Sequence, residues 1–415
     1  MSTEAGASLR ERLGDEIVSR GEDTSVGGQV VDTWLRPRDG EELAACLGAL
    51  AAGNHATRVR GRGTREGFGN PVAGVTTVLS TEKLSGIGEF DRQDGVLQVA
   101  AGTPVREVAQ AVRSEGWELP LDPPGETTSV GGAIAVAATG PRCQHYGPPR
   151  RCILGLQVVL ASGERTSCGG RVVKNVTGYD MAKLYSGSLG SLGVIESAWL
   201  RLRPAPAVTR TLVAIVAGDF GPRAAGLGLV ASRRHSVRSA ALVSGSPAAL
   251  LGAPTGADAG VMLVVECAGD EAAVAQDVDW LASEAGAREL PAEARLLGRL
   301  RELQGGGRVR ARLALLAQDV EAAVAPLAAS GIGTIAYPGA GLLYALAESD
   351  DGLAAVEQVA SRTGADLLLE SLPDSLRAGR DAFGDPGPRA PLLRALKQRF
   401  DPQGILNPGI GQGGL

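Results

Sequence analysis

The stretch Pro123-Pro124-Gly125-Glu126-Thr127-Thr128-Ser129-Val130-Gly131-Gly132-Ala133-Ile134-Ala135 joins a rigid, glycine-containing turn to a run of small residues able to start a helix. Backbone N–H groups at a helix N-terminus, the helix dipole and the hydroxyls of Thr127, Thr128 and Ser129 favour an anion against the main chain. Gly131 and Gly132 remove the Cβ atoms that would hold it off. Ser and Thr are also ordinary N-cap residues, so the same segment reads as a plain capped helix. The rest of the chain has to decide between the two.

With 415 residues, 44% of them hydrophobic, the chain is long enough for about two or three globular domains. A formal net charge of −5 supplies no overall field to attract nucleic acid or anionic lipid. The N-terminus has neither the basic start nor the apolar core of an export signal, and no apolar run approaches the roughly 18 residues of a membrane span. These features predict a cytoplasmic protein that meets a membrane only through partners. Five cysteines, Cys46, Cys143, Cys152, Cys168 and Cys267, show no CxxC spacing, and the three histidines, His55, His145 and His235, lie far apart. The expectation is reduced thiols and no metal site.

Outward from the opening stretch, short elements alternate. Val30 to Leu35 reads as a strand, Glu41 to Ala52 as a helix, and Thr57-Arg58-Val59-Arg60 as a strand leading into a loop of high backbone freedom, Gly61 to Pro71. Gly61-Arg62-Gly63-Thr64 is the second candidate for phosphate contact. Strand signals follow at Thr76 to Leu79, Gly86 to Phe90 and Val96 to Ala100, and Thr103-Pro104 opens a helix to about Ser114 with Pro at its first position. Ile153 to Leu160 and Glu164 to Thr166 flank Ala161-Ser162-Gly163 as a hairpin, so the sheet is partly antiparallel. A polar loop, Gly169 to Asp180, precedes a short helix through Tyr185 that Asp180 can cap, and Gly187 to Ile195 returns to a strand. Within that loop, Lys174 and Asn175 suit a substrate carboxylate, a partner subunit or the turn alone.

Pro204 and Pro206 mark the main boundary. The expected division is a polar N-terminal segment over residues 1–25, a first domain over 26–205 and a second over 206–415. In the second, apolar strands near 211–216, 261–267, 309–316 and 342–346 alternate with Ala-rich helices near 271–284, 320–330 and 352–361. That order predicts a smaller α+β domain with an antiparallel sheet.

Familiar nucleotide and hydrolase signatures are missing. Gly61-Arg62-Gly63-Thr64-Arg65-Glu66 has Glu where a dinucleotide fingerprint needs its third glycine, and neither G-x-x-x-x-G-K-[ST] nor G-x-S-x-G occurs. The loops nevertheless follow one order: Arg60 to Thr64, Pro123 to Ala135, Lys174 to Asp180, Gly187 to Ile195, and Arg399-Phe400-Asp401-Pro402-Gln403-Gly404-Ile405-Leu406-Asn407-Pro408-Gly409 at the end. This ordered set resembles the FAD-binding domain of the vanillyl-alcohol oxidase and p-cresol methylhydroxylase (PCMH) superfamily, and within it the family of glycolate oxidase E subunits.

The resemblance implies an α+β fold in which two subdomains hold an extended FAD, followed by the smaller α+β domain. It implies pyrophosphate contacts from Gly61, Arg62, Gly63 and Thr64 and from Gly125, Thr127, Thr128, Ser129, Gly131 and Gly132, with Arg60, Pro124 and Ala135 also at the cofactor. Gly140, Gly193, Val194 and Ile195 are implied at the flavin or adenosine parts. Many members attach the flavin to a histidine after the first glycine loop; Thr64-Arg65-Glu66 stands there, so non-covalent FAD is expected. His145, beside Tyr146 and Gly147, is a candidate for flavin chemistry or for an ordinary solvated side chain.

Related 2-hydroxy-acid dehydrogenases place histidines and acidic residues, often with a metal, over the flavin. Beyond residue 206 this chain has only His235. Gly187 to Gly193 also carries Leu and Ser where the catalytic D-subunit relatives show Glu and Thr, which favours the E-type assignment. By resemblance, then, the chain is an FAD subunit of a glycolate oxidase (glycolate dehydrogenase) complex, with a second FAD-binding catalytic subunit, an iron–sulfur subunit and a small 2-hydroxy acid as partners. A free-standing FAD-linked dehydrogenase and a non-catalytic scaffold of the same fold are the alternatives. The catalytic residues are not identified.

Overall fold

The structure, a computed structural model, describes residues 2–26, 29–72, 74–171, 179–217, 221–253, 260–291 and 295–414. Lys174 and Asn175 lie outside the described residues. Two compact units are present: residues 1–138, 148–204 and 379–415 make the first, and 139–147 with 205–378 make the second.

The first unit opens with α1 (Ser2–Leu13), β1 (Val18–Val26), β2 (Gln29–Leu35), α2 (Gly40–Ala52), β3 (Thr57–Arg60) and β4 (Thr77–Ser80). These strands form a sheet in the order β1-β2-β4-β3, in which β4 runs parallel to both β2 and β3. The polar N-terminus is thus a helix. Its apolar residues are Ala5, Ala7, Leu9 and Leu13; Ala5 and Leu9 are buried and Ala7 is exposed. Helix α2 begins where Asp39 accepts the N–H groups of Glu41 and Glu42 at 3.0 and 2.9 Å, and it buries Leu43, Cys46, Leu47 and Leu50.

A second layer follows with β5 (Ile87–Asp91), β6 (Val96–Ala100), α3 (Val105–Arg113), β7 (Trp117–Glu118) and α4 (Val130–Ala135). After α5 (Cys143–Tyr146), which belongs to the second unit, come β8 (Ile153–Val159), β9 (Arg165–Gly169), α6 (Ala182–Tyr185), β10 (Val194–Arg201) and β11 (Arg203–Pro204). The antiparallel order β5-β6-β10-β8-β9 brings α3 and α4 onto a core of Leu97, Val99, Val108, Ile134, Leu156 and Ala198.

Two local expectations are corrected. Pro104 caps α3 from extended backbone instead of opening it, because the Val105 N–H is taken by the Thr128 carbonyl at 2.8 Å. Asp180 does not cap α6; its carboxylate pairs with Lys183 Nζ at 2.9 Å.

The second unit contains β12 (Val208–Ala217), α7 (Pro222–Ser232), β13 (Val237–Ser244), α8 (Ser246–Leu250), β14 (Gly260–Gly269), α9 (Glu271–Ala285), β15 (Arg288–Leu290) and α10 (Leu296–Gln304). It continues with β16 (Val309–Ala314), α11 (Val320–Ala329), β17 (Gly333–Tyr337), β18 (Leu342–Ala347), α12 (Gly352–Thr363), β19 (Asp366–Ser371) and α13 (Asp374–Arg377). All eight strands join one antiparallel sheet, β15-β12-β14-β13-β17-β18-β16-β19. Residues 139–147 are fastened to this unit by polar contacts. Arg142 makes a bidentate pair with the buried Glu266 at 2.6 and 2.7 Å, and Gln304 donates to the Thr139 carbonyl at 2.8 Å.

The chain then returns to the first unit with α14 (Ala390–Phe400) and the terminal stretch. Thr57 and Leu406 form a parallel bridge, so this stretch lies along the outer edge of β3.

Candidate functional site: a glycine-walled cleft

An open cleft of about 880 Å³, solvent at its mouth included, occupies the first unit. Its walls come from the end of β3 and the following loop (Arg58 to Glu66), from Ser129 to Val136, from Ser188 to Gly190 and Gly193 to Ile195, and from Ile410. Ligands of parallel sheets sit beyond the carboxyl ends of the strands, and the β3 loop leaves its strand at that end.

The edge of β3 shows how the cleft obtains its donors. Alternate N–H groups of a strand point to one side. Thr57 N–H donates to the Ile405 carbonyl at 2.8 Å, and Val59 N–H to Asn407 Oδ1 at 2.9 Å. The next in the row, at Gly61, has no acceptor among the described residues; neither do the backbone N–H groups of Arg62, Gly63 and Thr64. Four successive unpaired donors in a loop are what a backbone anion seat requires. Arg62 steadies it by donating from Nε to the Gly102 carbonyl at 2.9 Å, and Gly63 has a φ of 75° that an L side chain rarely adopts. Arg60 faces Glu66 at 2.5 Å and stacks its guanidinium over Trp34, 5.0 Å from the ring centroid.

The opening stretch plays a different part from the one its sequence implies. The N–H groups of Val130 and Gly131 are not left for an anion: they donate to the Thr103 and Ala101 carbonyls at 2.9 and 2.8 Å. Gly132 N–H goes to the capping Ser129 Oγ at 3.3 Å. What the segment contributes is a close approach of the cleft's walls to one another. A Cβ on Gly61 would meet Ser129 Oγ at 2.5 Å, and one on Gly131 would meet the Ala101 Cβ at 2.7 Å. Behind this wall Thr128 Oγ1 donates to the Pro124 carbonyl at 2.7 Å and bonds Thr64 Oγ1 at 2.9 Å, tying the two glycine loops together.

Of the residues singled out from sequence, Arg60 to Thr64, Thr128, Ser129, Gly131, Gly132, Ala135, Gly193, Val194 and Ile195 line the cleft. Pro124 and Gly125 stand behind it, and Thr127 is exposed. Gly140 and His145 belong to the second unit and are not among the lining residues. Glycine at 193 is also demanded by packing, since a Cβ there would meet Val158 Cγ1 at 2.7 Å.

Residues outside the sequence motifs complete the walls: Thr81, Ala101, Val136 and, from the C-terminal stretch, Ile410. Val136 directly follows the opening stretch, whereas Thr81, Ala101 and Ile410 arrive through distant strands or loops that no local pattern signals. In the hydrophobic core of the first unit, burial pushes the Tyr185 phenol up to about 12, and the Cys152 thiol likewise to about 12, so both stay protonated. Among the described residues no group of three or more His, Cys, Asp and Glu is placed to hold a metal ion, and no helix is long and apolar enough to cross a membrane.

With this geometry in hand, the likenesses to known proteins have a structural context. Residues 31–169 match the family model described as an FAD binding domain. The chain is 36% identical over 170 residues to a D-lactate dehydrogenase of Archaeoglobus fulgidus, covering 41% of this chain and 38% of that protein. It is 34% identical over 156 residues to the glycolate oxidase subunit GlcE of Escherichia coli, covering 37% and 44%. Against the glycolate oxidase subunit GlcD of Bacillus subtilis it is 32% identical over 185 residues, covering 44% and 39%. The matched stretch thus spans less than half the length of these relatives.

The fold is shared more widely. A p-cresol methylhydroxylase superposes with a TM-score of 0.72 at 14% identity, over 98% of this chain and 96% of that one. An alkyldihydroxyacetonephosphate synthase superposes at 0.70 and 16%, over 98% and 84%. Residues 31–169, which contribute most of the cleft, are thus similar to an FAD binding domain, and the chain has a PCMH-type fold.

Proposed function

We propose that the chain is the FAD-binding subunit of a glycolate oxidase (glycolate dehydrogenase) complex that oxidises a 2-hydroxy acid to the 2-oxo acid. The observation carrying this reading is the row of unpaired N–H groups at Gly61 to Thr64, set in a glycine-walled cleft inside the FAD binding domain. The likeness to GlcE supplies the assignment to a complex.

The residues present fit the cofactor. The donors of Gly61 to Thr64 would take the pyrophosphate, and the missing Cβ atom at Gly132, which also lines the cleft, leaves room beside them. Arg62, whose described partner is the neutral Gly102 carbonyl, adds positive charge at the same place. Val194, Ile195, Leu189 and Ile410 offer the flat apolar walls a tricyclic ring needs, with backbone groups between them. Bound there, the flavin supplies the acceptor for two electrons from the hydroxy acid. The chain's own part is to hold the diphosphate, keep water from the ring and present one ring face.

Partners are a second FAD-binding catalytic subunit and an iron–sulfur subunit, in a cytoplasmic assembly that reaches a membrane through them. The test is an anaerobic absorption spectrum of the FAD-loaded chain with glycolate added. Bleaching that requires the partner subunits is the expected result. Bleaching by the chain alone would favour a free-standing dehydrogenase, and no bleaching under either condition would favour a scaffold.

A further inference from the structure

Asn407 is 1% exposed and holds a left-handed backbone, φ 45°, at the point where the C-terminal stretch turns away from β3. Its backbone N–H donates to the Thr57 carbonyl at 2.9 Å. Its side chain then does what the departing backbone no longer can: Oδ1 accepts the Val59 N–H at 2.9 Å, and Nδ2 donates to the Leu189 carbonyl at 2.7 Å. One orientation of the amide satisfies both partners, since only oxygen accepts and only nitrogen donates.

Both partners line the cleft, and the tie extends further. Leu189 is itself at a positive φ of 59°, and its N–H donates to the Ala135 carbonyl at 2.8 Å. Three walls are therefore joined through one amide: the end of β3, the loop at Ser188 to Gly190 and the end of α4. The stretch carrying Asn407 is in turn fixed by Asp401, which accepts the N–H groups of Ile405 and Leu406 at 3.0 and 2.8 Å and pairs with Lys397 Nζ at 2.7 Å. Lys397 also donates to the Ser191 carbonyl at 3.0 Å, a second link to the same loop.

We infer that Asn407 is a positioning residue for the cofactor site. It closes the edge of β3 at Val59 and leaves the next N–H in the row, that of Gly61, for the ligand, while fixing the facing loop at Leu189. The inference rests on the FAD reading proposed above.

Asn407→Asp tests it, because a carboxylate keeps the bond to Val59 N–H but cannot donate to Leu189 unless protonated. Flavin-fluorescence titration should show FAD binding weakened about tenfold near pH 8, the loss of one buried hydrogen bond. Affinity should recover toward wild type at acid pH, once the carboxyl is protonated and regains a donor; the wild type should show no such recovery. Gly190→Ala serves as the second variant, since its Cβ would meet Asn407 Nδ2 at 3.2 Å on a backbone of φ 68°, and it too should weaken FAD binding. Folded variants with wild-type affinity at both pH values would overturn the inference. Should Asn407→Asp not fold, wild-type affinity in Gly190→Ala overturns it. A wild-type chain that binds no FAD overturns the cofactor reading itself, and this inference with it.

Discussion

Gly61 and Ser129 stand so close that any side chain on Gly61 would collide with the Ser129 hydroxyl, 2.5 Å from where its Cβ would be. One residue ends β3 and the other caps α4, so the pair sets the gap between the two glycine walls. Gly61→Ala is predicted to weaken FAD binding at least tenfold by moving the seat formed by Gly61 to Thr64. Ser129→Ala removes a cap and should cost about 1 kcal/mol of stability. In the double variant the collision is relieved, so FAD affinity should recover toward wild type relative to Gly61→Ala alone. Titrations of the three variants test this.

Arg142 and Glu266 make a different kind of pair. Glu266 is 3% exposed, and Arg142 is its bidentate partner. Arg142→Ala leaves a buried charge unpaired and should cost the second unit about 3 kcal/mol in chemical unfolding. Replacing both residues by apolar ones of similar volume should restore most of that loss. Equal destabilisation in the double variant would contradict this account of the pair.

Asp277 gives the second unit a dependence on acid. Burial opposes its charge, but bonds from the Ser236 hydroxyl and N–H and from Arg234 outweigh burial and hold the carboxyl below its ordinary value of 3.8. A carboxyl depressed on folding stabilises above its unfolded value and loses that contribution as pH falls through the folded one. Asp277→Asn should therefore melt below wild type at neutral pH, and the gap should narrow from about pH 4 downward. A gap independent of pH would count against the assignment.

What the sequence disclosed depended on range. The strand Thr57 to Arg60 and its glycine loop were legible because β-branched residues and glycines punctuate the chain locally. The hairpin around Ala161 to Gly163 was legible for the same reason. The partners of Val130 and Gly131 were not. Helix capping is a local rule, whereas their N–H groups are taken by Thr103 and Ala101, on a segment that sequence spacing does not bring beside α4. The closing motif was visible as a motif, but its work was not, since Asn407 reaches Val59 and Leu189 across 348 and 218 positions. Helix α1 escaped because its apolar residues are two alanines and two leucines among charged and hydroxyl side chains, which leaves the segment polar on average.

The central claim is that FAD occupies the glycine-walled cleft, and Gly132 gives the most direct access to it. A Cβ there meets only Ser129 Oγ, at 2.9 Å, so a larger side chain should reach into the space reserved for the diphosphate with modest effect on the fold. The decisive measurement is calorimetric titration of FAD into the cofactor-free wild-type chain and into Gly132→Val, with melting curves alongside. The account predicts one FAD per wild-type chain, and binding weakened by a factor of ten or more in a variant that still melts cooperatively. A wild-type chain that takes up no FAD, or a folded Gly132→Val that binds it equally well, would contradict the account.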